Sequence, residues 1–113
     1  MTRTWIITPE QRQHAHRVIA EEAEKHGMTT KKLLTLSKSP KYTEIKWHLW
    51  ARLLYEVDLF LTCAGRFAKR DHTTLLHGMR RMGQEYYGLP YKSSLEEIGA
   101  VWKAHNLAWR EAA

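Results

Sequence analysis

The chain has 113 residues, of which 43% are hydrophobic and 27% are charged, and its formal net charge at pH 7 is +6. This length suits a single domain, and the composition excludes wholesale disorder. The single cysteine, Cys63, cannot form an intramolecular disulfide, which favours a reducing cytoplasm. No stretch approaches the ~20 apolar residues that span a bilayer, and no signal-peptide pattern opens the chain, so we expect a cytoplasmic protein without membrane contact.

The positive charge is concentrated in the middle of the sequence. Residues 38–81 contain nine Lys and Arg against four Asp and Glu, whereas the rest of the chain contains nine against eight. A local excess of this kind is typical of a surface that binds nucleic acid.

The first predicted helix begins at a capping motif. Thr8 suits the N-cap, Pro9 the first helical position, and Gln11 the reciprocal bond of a capping box. We expect this helix to run to about Lys25 or His26 and to stop at Gly27.

A brief second helix, capped by Thr29 or Thr30, is predicted to reach Leu36. Residues 37–41 follow as the clearest loop in the sequence. Its basic residues suit contacts with phosphate, although a solvated loop explains them equally well. These residues are Lys38 and Lys41.

A third helix is predicted over about residues 43–58 from a wide apolar face. It carries Trp47 and Trp50, three positions apart and therefore on one side of the helix. Such a pair packs in a core more often than it stacks on bases, so we expect both rings to be buried.

Two further helices form a predicted helix-turn-helix over about residues 59–87. Leu75, Met79 and Met82 recur at spacings of three and four on the second of these helices. One face is therefore anchored in the domain, while the first turn, which starts at Asp71, projects from it. This is the form of a recognition helix, whose early residues enter the major groove of DNA.

A final helix is predicted over about residues 94–111, starting at a capping box of Ser94 and Glu97. Trp102 and Trp109 share its apolar stripe. The stripe is expected to pack on the domain; left uncovered, it would offer a surface to a protein partner or a homodimer. The expected fold is all-α, with about six helices in one domain covering residues 1–113.

Three residues at the start of the recognition helix can read base edges. Asp71 can accept a hydrogen bond from the cytosine amino group, His72 can donate one to guanine, and Thr73 offers a methyl and a hydroxyl group. Asp71 also suits the N-cap of the helix, bonded to the amide of Thr74. The residues alone leave both roles open, and one role does not exclude the other.

Other polar residues near this turn suit the DNA backbone. Arg66, Lys69 and Arg70 flank the positive end of the helix, where a phosphate is favoured. Thr74 and His77 lie further along and are better placed for phosphate than for bases. Such contacts position a protein on DNA without selecting a sequence.

The run RDHTTLLH at 70–77, preceded by AGRF, resembles the signature of the C-terminal DNA-binding domain of the bacterial replication initiator DnaA. A looser similarity extends back to about His26. The resemblance implies a helix-turn-helix fold like that of the Trp repressor and of this DnaA domain, with an added C-terminal helix. It also implies base reading by Asp71, His72 and Thr73, and a place in or beside the DNA surface for Arg70, Thr74 and His77.

The chain departs from this family at two points. Where the family has glycine before the Arg-Asp-His run, this sequence has Ala68 and Lys69. Ala68 does not tolerate a positive φ cheaply, so we expect a slightly altered turn in which Lys69 adds a phosphate contact. In the family, an arginine early in the long helix before the helix-turn-helix enters the minor groove. This sequence has no arginine at the start of its third helix, and Lys46 or Lys41 is the candidate substitute.

The favoured interpretation is a stand-alone, sequence-specific binder of double-stranded DNA that regulates transcription or replication, associated with the nucleoid and of bacterial, phage or phage-derived type. The chain contains no GxxxxGK[ST] motif of an ATPase. The alternative is a protein adaptor, or an antagonist of DnaA, that uses exposed aromatic helix faces. Those faces would carry Trp47, Trp50, Trp102 and Trp109.

An enzyme is not expected, because no nucleophile–base set and no Gly-rich phosphate loop appear in the sequence. No cofactor or metal site is expected either. His14 and His16 lack two further ligands at suitable spacing, and Cys63 stands alone.

Overall fold

The computed structural model describes residues 7–106. Of these, 74% lie in helices and none in a strand, which confirms the all-α expectation with six helices. The helices are α1 (Pro9–Lys25), α2 (Thr30–Leu34), α3 (Thr43–Ala51), α4 (Leu61–Ala68), α5 (His72–Tyr87) and α6 (Leu95–His105). No helix of residues 7–106 is both long and apolar enough to cross a membrane.

The helix boundaries follow from local capping. Both predicted capping boxes are present, Thr8 with Gln11 at α1 and Ser94 with Glu97 at α6. Gly27 and Gly88 follow α1 and α5 with φ values of +66° and +69°, respectively, so each chain reversal uses a residue that lacks a Cβ.

The second helix ends earlier than predicted. It stops at Leu34 rather than Leu36, because the Thr35 hydroxyl donates to the carbonyl of Lys31 at 2.8 Å and caps the last turn. In the following loop, Pro40–Tyr42 form a 3₁₀ turn that leads directly into α3.

The third predicted helix changes its winding before it ends. Beyond Ala51 it continues as a π-helical turn, Arg52–Glu56, in which the amide of Val57 donates to the carbonyl of Arg52 at 2.9 Å. The chain then leaves the helix at Asp58, whose φ is 65°. The sequence pattern missed this turn, since a π turn adds one residue to the winding without breaking the apolar pattern.

The π turn brings Arg52 into a buried ionic cluster against α1. Its guanidinium donates to Glu22 at 2.9 Å, to Glu21 at 2.9 Å and to Glu56 at 2.6 Å. His14 of α1 lies 2.9 Å from the Glu56 carboxylate. A buried charge needs such partners, because it has lost its hydration. The cluster therefore fixes α1 on the end of α3, a contact that no sequence motif announced.

The paired tryptophans lie in the core, as predicted. Trp47 and Trp50 are only 5% and 4% exposed, and they face the backbone of α5 at Gly78. A Cβ at Gly78 would stand 2.5 Å from Trp50 Cζ3, so only glycine permits this approach. The protein-adaptor alternative, which requires these two rings on an exposed helix face, is therefore wrong for Trp47 and Trp50.

The last helix packs on the domain. Trp102 is 2% exposed, and Gly99 lies against the ring of Tyr55, whose hydroxyl donates to the Leu95 carbonyl at 3.0 Å. At Trp102, the prediction that the apolar stripe of this helix packs on the domain is confirmed. The alternative in which Trp102 lies on an exposed partner surface is wrong. Trp109 lies outside the described residues.

We expect Gly78→Ala to lower the free energy of unfolding by about 1–3 kcal/mol, because the added methyl group overpacks the contact with Trp50. Urea denaturation measures this change. Gln84→Ala, on the exposed side of α5, is the matched control and should stay within about 0.5 kcal/mol of the wild type. A Gly78→Ala variant as stable as the wild type would contradict the close approach of α5 to Trp50.

A second expectation concerns acid. Burial raises the pKa of Glu56, but hydrogen bonds from Arg52 and His14 outweigh it and hold the pKa below its ordinary value. A carboxylate with a lowered folded-state pKa stabilises the protein at neutral pH and loses this effect as the pH falls. The free energy of unfolding should therefore drop between about pH 5 and pH 2, and less steeply in Glu56→Gln.

Denaturation at several pH values tests this expectation. Glu24→Gln, at an exposed position of α1, is the control and should keep the wild-type slope. An equal slope in Glu56→Gln and the wild type would remove Glu56 from the acid response.

Candidate nucleic-acid interface

The turn between α4 and α5 is tight and is closed by backbone hydrogen bonds. The amide of Arg70 donates to the carbonyl of Gly65 at 2.9 Å, and the amide of Lys69 donates to that of Arg66 at 3.2 Å. A Cβ at Gly65 would lie 2.8 Å from the Arg70 carbonyl oxygen. Gly65 thus lets the chain fold back closely over the end of α4.

The residue with a left-handed conformation in this turn is Lys69, not Ala68. Lys69 has φ 57° and ψ 43°, whereas Ala68 is the last residue of α4 and is buried. The turn therefore does not require a positive φ at the position where the sequence has alanine. The strain falls instead on an exposed lysine.

Asp71 is the N-cap of α5. Its carboxylate accepts a hydrogen bond from the Thr73 amide at 3.0 Å and a second, short one from the Thr73 hydroxyl. The cap bond predicted for the amide of Thr74 is not formed, because that amide donates to the backbone carbonyl of Asp71 at 3.0 Å. The hydrogen bonds from the Thr73 hydroxyl and amide lower the pKa of Asp71, which favours the carboxylate form.

The three proposed base-reading residues lie together on the exposed first turn. The side chains of Asp71 and His72 are 63% and 49% exposed, and Thr73 is also exposed. His72 Nδ1 lies 3.9 Å from Asp71 Oδ1. Because Asp71 engages the Thr73 hydroxyl, the carboxylate and the threonine side chain are held as one preorganised pair.

The basic residues of α4 and of the turn lie beside this first turn. Arg66 and Lys69 are exposed, and Arg70 is half-buried. Together with Thr62, they line an open cavity of about 450 Å³ between α4 and the start of α5. Sequence reasoning missed Thr62, because its place in the cavity depends on how the two helices cross.

Arg70 and Lys46 are tied to the loop after α2. Arg70 Nη2 donates to the Leu36 carbonyl at 2.5 Å, and Lys46 Nζ donates to the Ser37 carbonyl at 2.9 Å. Burial lowers the pKa of Lys46, and the neighbouring charges of Arg70 and Lys38 lower it further. Three of the predicted phosphate-binding cations therefore gather at one place. An anion at this place would relieve their mutual repulsion.

The remaining predicted contacts are more dispersed. Lys41 is exposed, and its ammonium lies 5.0 Å from the ring centroid of Tyr42. Thr74 is exposed on α5. His77 is exposed as well, but its Nδ1 lies 2.7 Å from the hydroxyl of Tyr91, a residue that the sequence analysis did not select.

The outward face of α5 continues beyond its first turn. Thr73, His77 and Arg80 are spaced at i, i+4 and i+7, which places them in one row along the helix. Leu75, Gly78, Met79, Met82 and Gly83 form the opposite, buried face. The face that starts with the candidate base readers therefore carries basic side chains further along.

Within residues 7–106, no three His, Cys, Asp or Glu side chains are grouped so as to hold a metal ion. Comparison of the chain with protein-family models, with curated proteins and with solved structures found no match.

We expect Lys69→Gly to change stability and DNA binding in opposite directions. Glycine removes the left-handed strain and should raise the free energy of unfolding by about 0.5–1 kcal/mol. Loss of the charge should weaken binding to every duplex. Denaturation and fluorescence anisotropy measure the two effects, and Lys69→Gln, which keeps the strain but loses the charge, separates them.

Proposed function

We propose that this protein is a stand-alone, sequence-specific binder of double-stranded DNA that regulates transcription or replication. It acts in the cytoplasm in association with the nucleoid of a bacterium, or on phage or phage-derived DNA. The first turn of α5 enters the major groove, with Asp71, His72 and Thr73 against base edges. Its phosphate-contacting residues are Arg66, Lys69, Arg70, Thr74, His77, Lys38, Lys41 and Lys46.

The observation that carries this proposal is the exposed start of α5 with basic side chains beside it. An α-helix fits the major groove, which is about 12 Å wide, and its N-terminal amides favour a phosphate. Asp71, His72 and Thr73 occupy that start, and Arg66 and Lys69 stand beside it on α4 and the turn. Sequence-specific binding needs some side chains that contact base edges and others that contact phosphates, and the start of α5 offers candidates for both.

The proposal also draws on the resemblance of residues 70–77 to the DnaA signature. The residues that match its base readers are exposed and lie together, and Gly65 supports the turn that presents them. The competing adaptor hypothesis depends on exposed aromatic faces, and three of the four tryptophans it invokes are buried. The DNA-binding proposal is therefore the better supported of the two.

Selection of bound fragments from random duplex DNA tests the proposal directly. A single recovered motif is the expected result. Absence of any duplex binding at low ionic strength would overturn the proposal. An apolar protein interface would respond little to salt, whereas DNA binding must weaken steeply as salt is added.

Substitutions of the readers should reduce sequence preference. Asp71→Ser keeps a residue that caps helices well, and Thr73→Val keeps the shape while removing the hydroxyl group. Each should lower discrimination between the selected and a scrambled duplex by about 1–3 kcal/mol per lost base contact, while nonspecific binding persists. Anisotropy titrations on both duplexes measure the difference.

Substitution of a positioning residue should give a different result. Arg66→Gln is expected to weaken binding to both duplexes equally and to reduce the salt slope by about 0.9. Arg12→Gln, at an exposed position of α1, is the matched control and should leave the slope unchanged. Identical behaviour of the Arg66 and Thr73 variants would contradict the division into readers and positioners.

A further inference from the structure

A second group of side chains lies on the outward face of α5, one to two turns beyond the candidate base readers. The ring of Tyr91 is nearly parallel to that of His77, with an interplanar angle of 16° and 6.4 Å between the ring centroids. Arg80 Cζ lies 5.9 Å from the Tyr91 ring centroid. Tyr91 comes from the loop between α5 and α6, so this contact joins two segments that only the fold brings together.

The loop that carries Tyr91 is held firmly in place. The Leu89 amide donates to the Gly83 carbonyl at 3.1 Å, and the Ser93 amide donates to the Pro90 carbonyl at 3.0 Å. Tyr91 therefore sits within a hydrogen-bonded turn that is attached to α5 itself. Its position relative to His77 is set by the backbone.

The hydrogen bond between Tyr91 and His77 can set which imidazole nitrogen carries the proton. The Tyr91 hydroxyl lies 2.7 Å from His77 Nδ1. A phenol hydroxyl is a good donor, and the unprotonated nitrogen of a neutral imidazole is a good acceptor. With Nδ1 accepting from Tyr91, the ring proton resides on Nε2, and a second-shell bond of this kind fixes the tautomer and orientation of a histidine.

Resting on the proposed DNA-binding function, we propose that Tyr91 is a positioning residue for a second DNA-backbone contact. It holds His77 with its Nε2 proton available to a phosphate oxygen, and it holds Arg80 alongside. Because His77 is exposed and Nδ1 is occupied by Tyr91, Nε2 is the nitrogen left for an external acceptor. Arg80 is half-buried beside this pair, with its guanidinium carbon 5.9 Å from the Tyr91 ring centroid.

The spacing along α5 fits the dimensions of a groove. His77 and Arg80 follow Thr73 by four and seven residues, or about 6 and 10 Å along the helix axis. The major groove is about 12 Å wide. With Thr73 at the groove floor and Arg66 and Lys69 at one rim, His77 and Arg80 meet phosphates of the opposite strand.

The test combines a spectroscopic measurement with a double-mutant cycle. In ¹⁵N-edited NMR of the free wild-type protein above the titration range of histidine, the proton of His77 should reside on Nε2. In Tyr91→Phe, which keeps the ring but lacks the hydroxyl, the fraction of His77 protonated on Nε2 should fall. Tyr86→Phe, at an exposed tyrosine of α5, is the control and should leave the His77 signals unchanged.

The binding arm of the test uses the selected and the scrambled duplex. Tyr91→Phe should raise Kd for both by about two- to tenfold, the value of one positioned hydrogen bond. In a His77→Ala background it should have no further effect, because the tyrosine acts through the histidine. An equal effect of Tyr91→Phe with and without His77 would overturn this role.

The outcomes separate this inference from the proposed function. A proton found on Nδ1 in the wild type overturns the positioning role whatever the protein binds. Duplex binding that Tyr91→Phe leaves unchanged overturns this inference alone. Failure of the wild-type protein to bind any duplex overturns the proposed function, and the second backbone contact falls with it.

Discussion

The placement of α5 depends on one close contact, between its backbone at Gly78 and the indole rings of Trp47 and Trp50. These two rings are among the largest buried groups of the core. Any side chain at position 78 of α5 would collide with them. Since the opposite face of the same helix carries the candidate base readers, the core packing fixes the direction in which those readers project. The orientation of a surface site is thus set by a glycine buried beneath it.

The exposed first turn of α5 is ordered by short-range polar bonds. Asp71 caps the helix and engages both the amide and the hydroxyl group of Thr73. Gly65 lets the preceding backbone cross closely, and Lys69 accepts a left-handed conformation at the corner. Preorganisation of this kind reduces the conformational entropy lost when such a turn meets a ligand, and it lets a structural residue such as Asp71 also present its carboxylate outward.

The basic residues of the candidate interface are of two kinds: some donate hydrogen bonds to the protein's own backbone, and others are exposed beside the turn. Arg70 and Lys46 donate to the carbonyls of Leu36 and Ser37, so they brace the loop after α2 while keeping their charge near the surface. Arg66 and Lys69 lie exposed beside the turn. The buried cluster around Arg52 is different again, since it joins α1 to the π turn with charges that have lost their hydration.

The sequence by itself determined the all-α fold, the helix starts at Thr8 and Ser94, and the burial of the tryptophan pair, because caps and apolar periodicity act over a few residues. It also singled out Asp71 and its neighbours as a candidate site, whose role in DNA binding stays a prediction. Only the tertiary structure decided the π turn with its Arg52 cluster, the left-handed conformation at Lys69 and the contact of Tyr91 with His77. Each of these depends on atoms far apart in the chain or on how two helices cross, and no local pattern of residue types encodes that geometry.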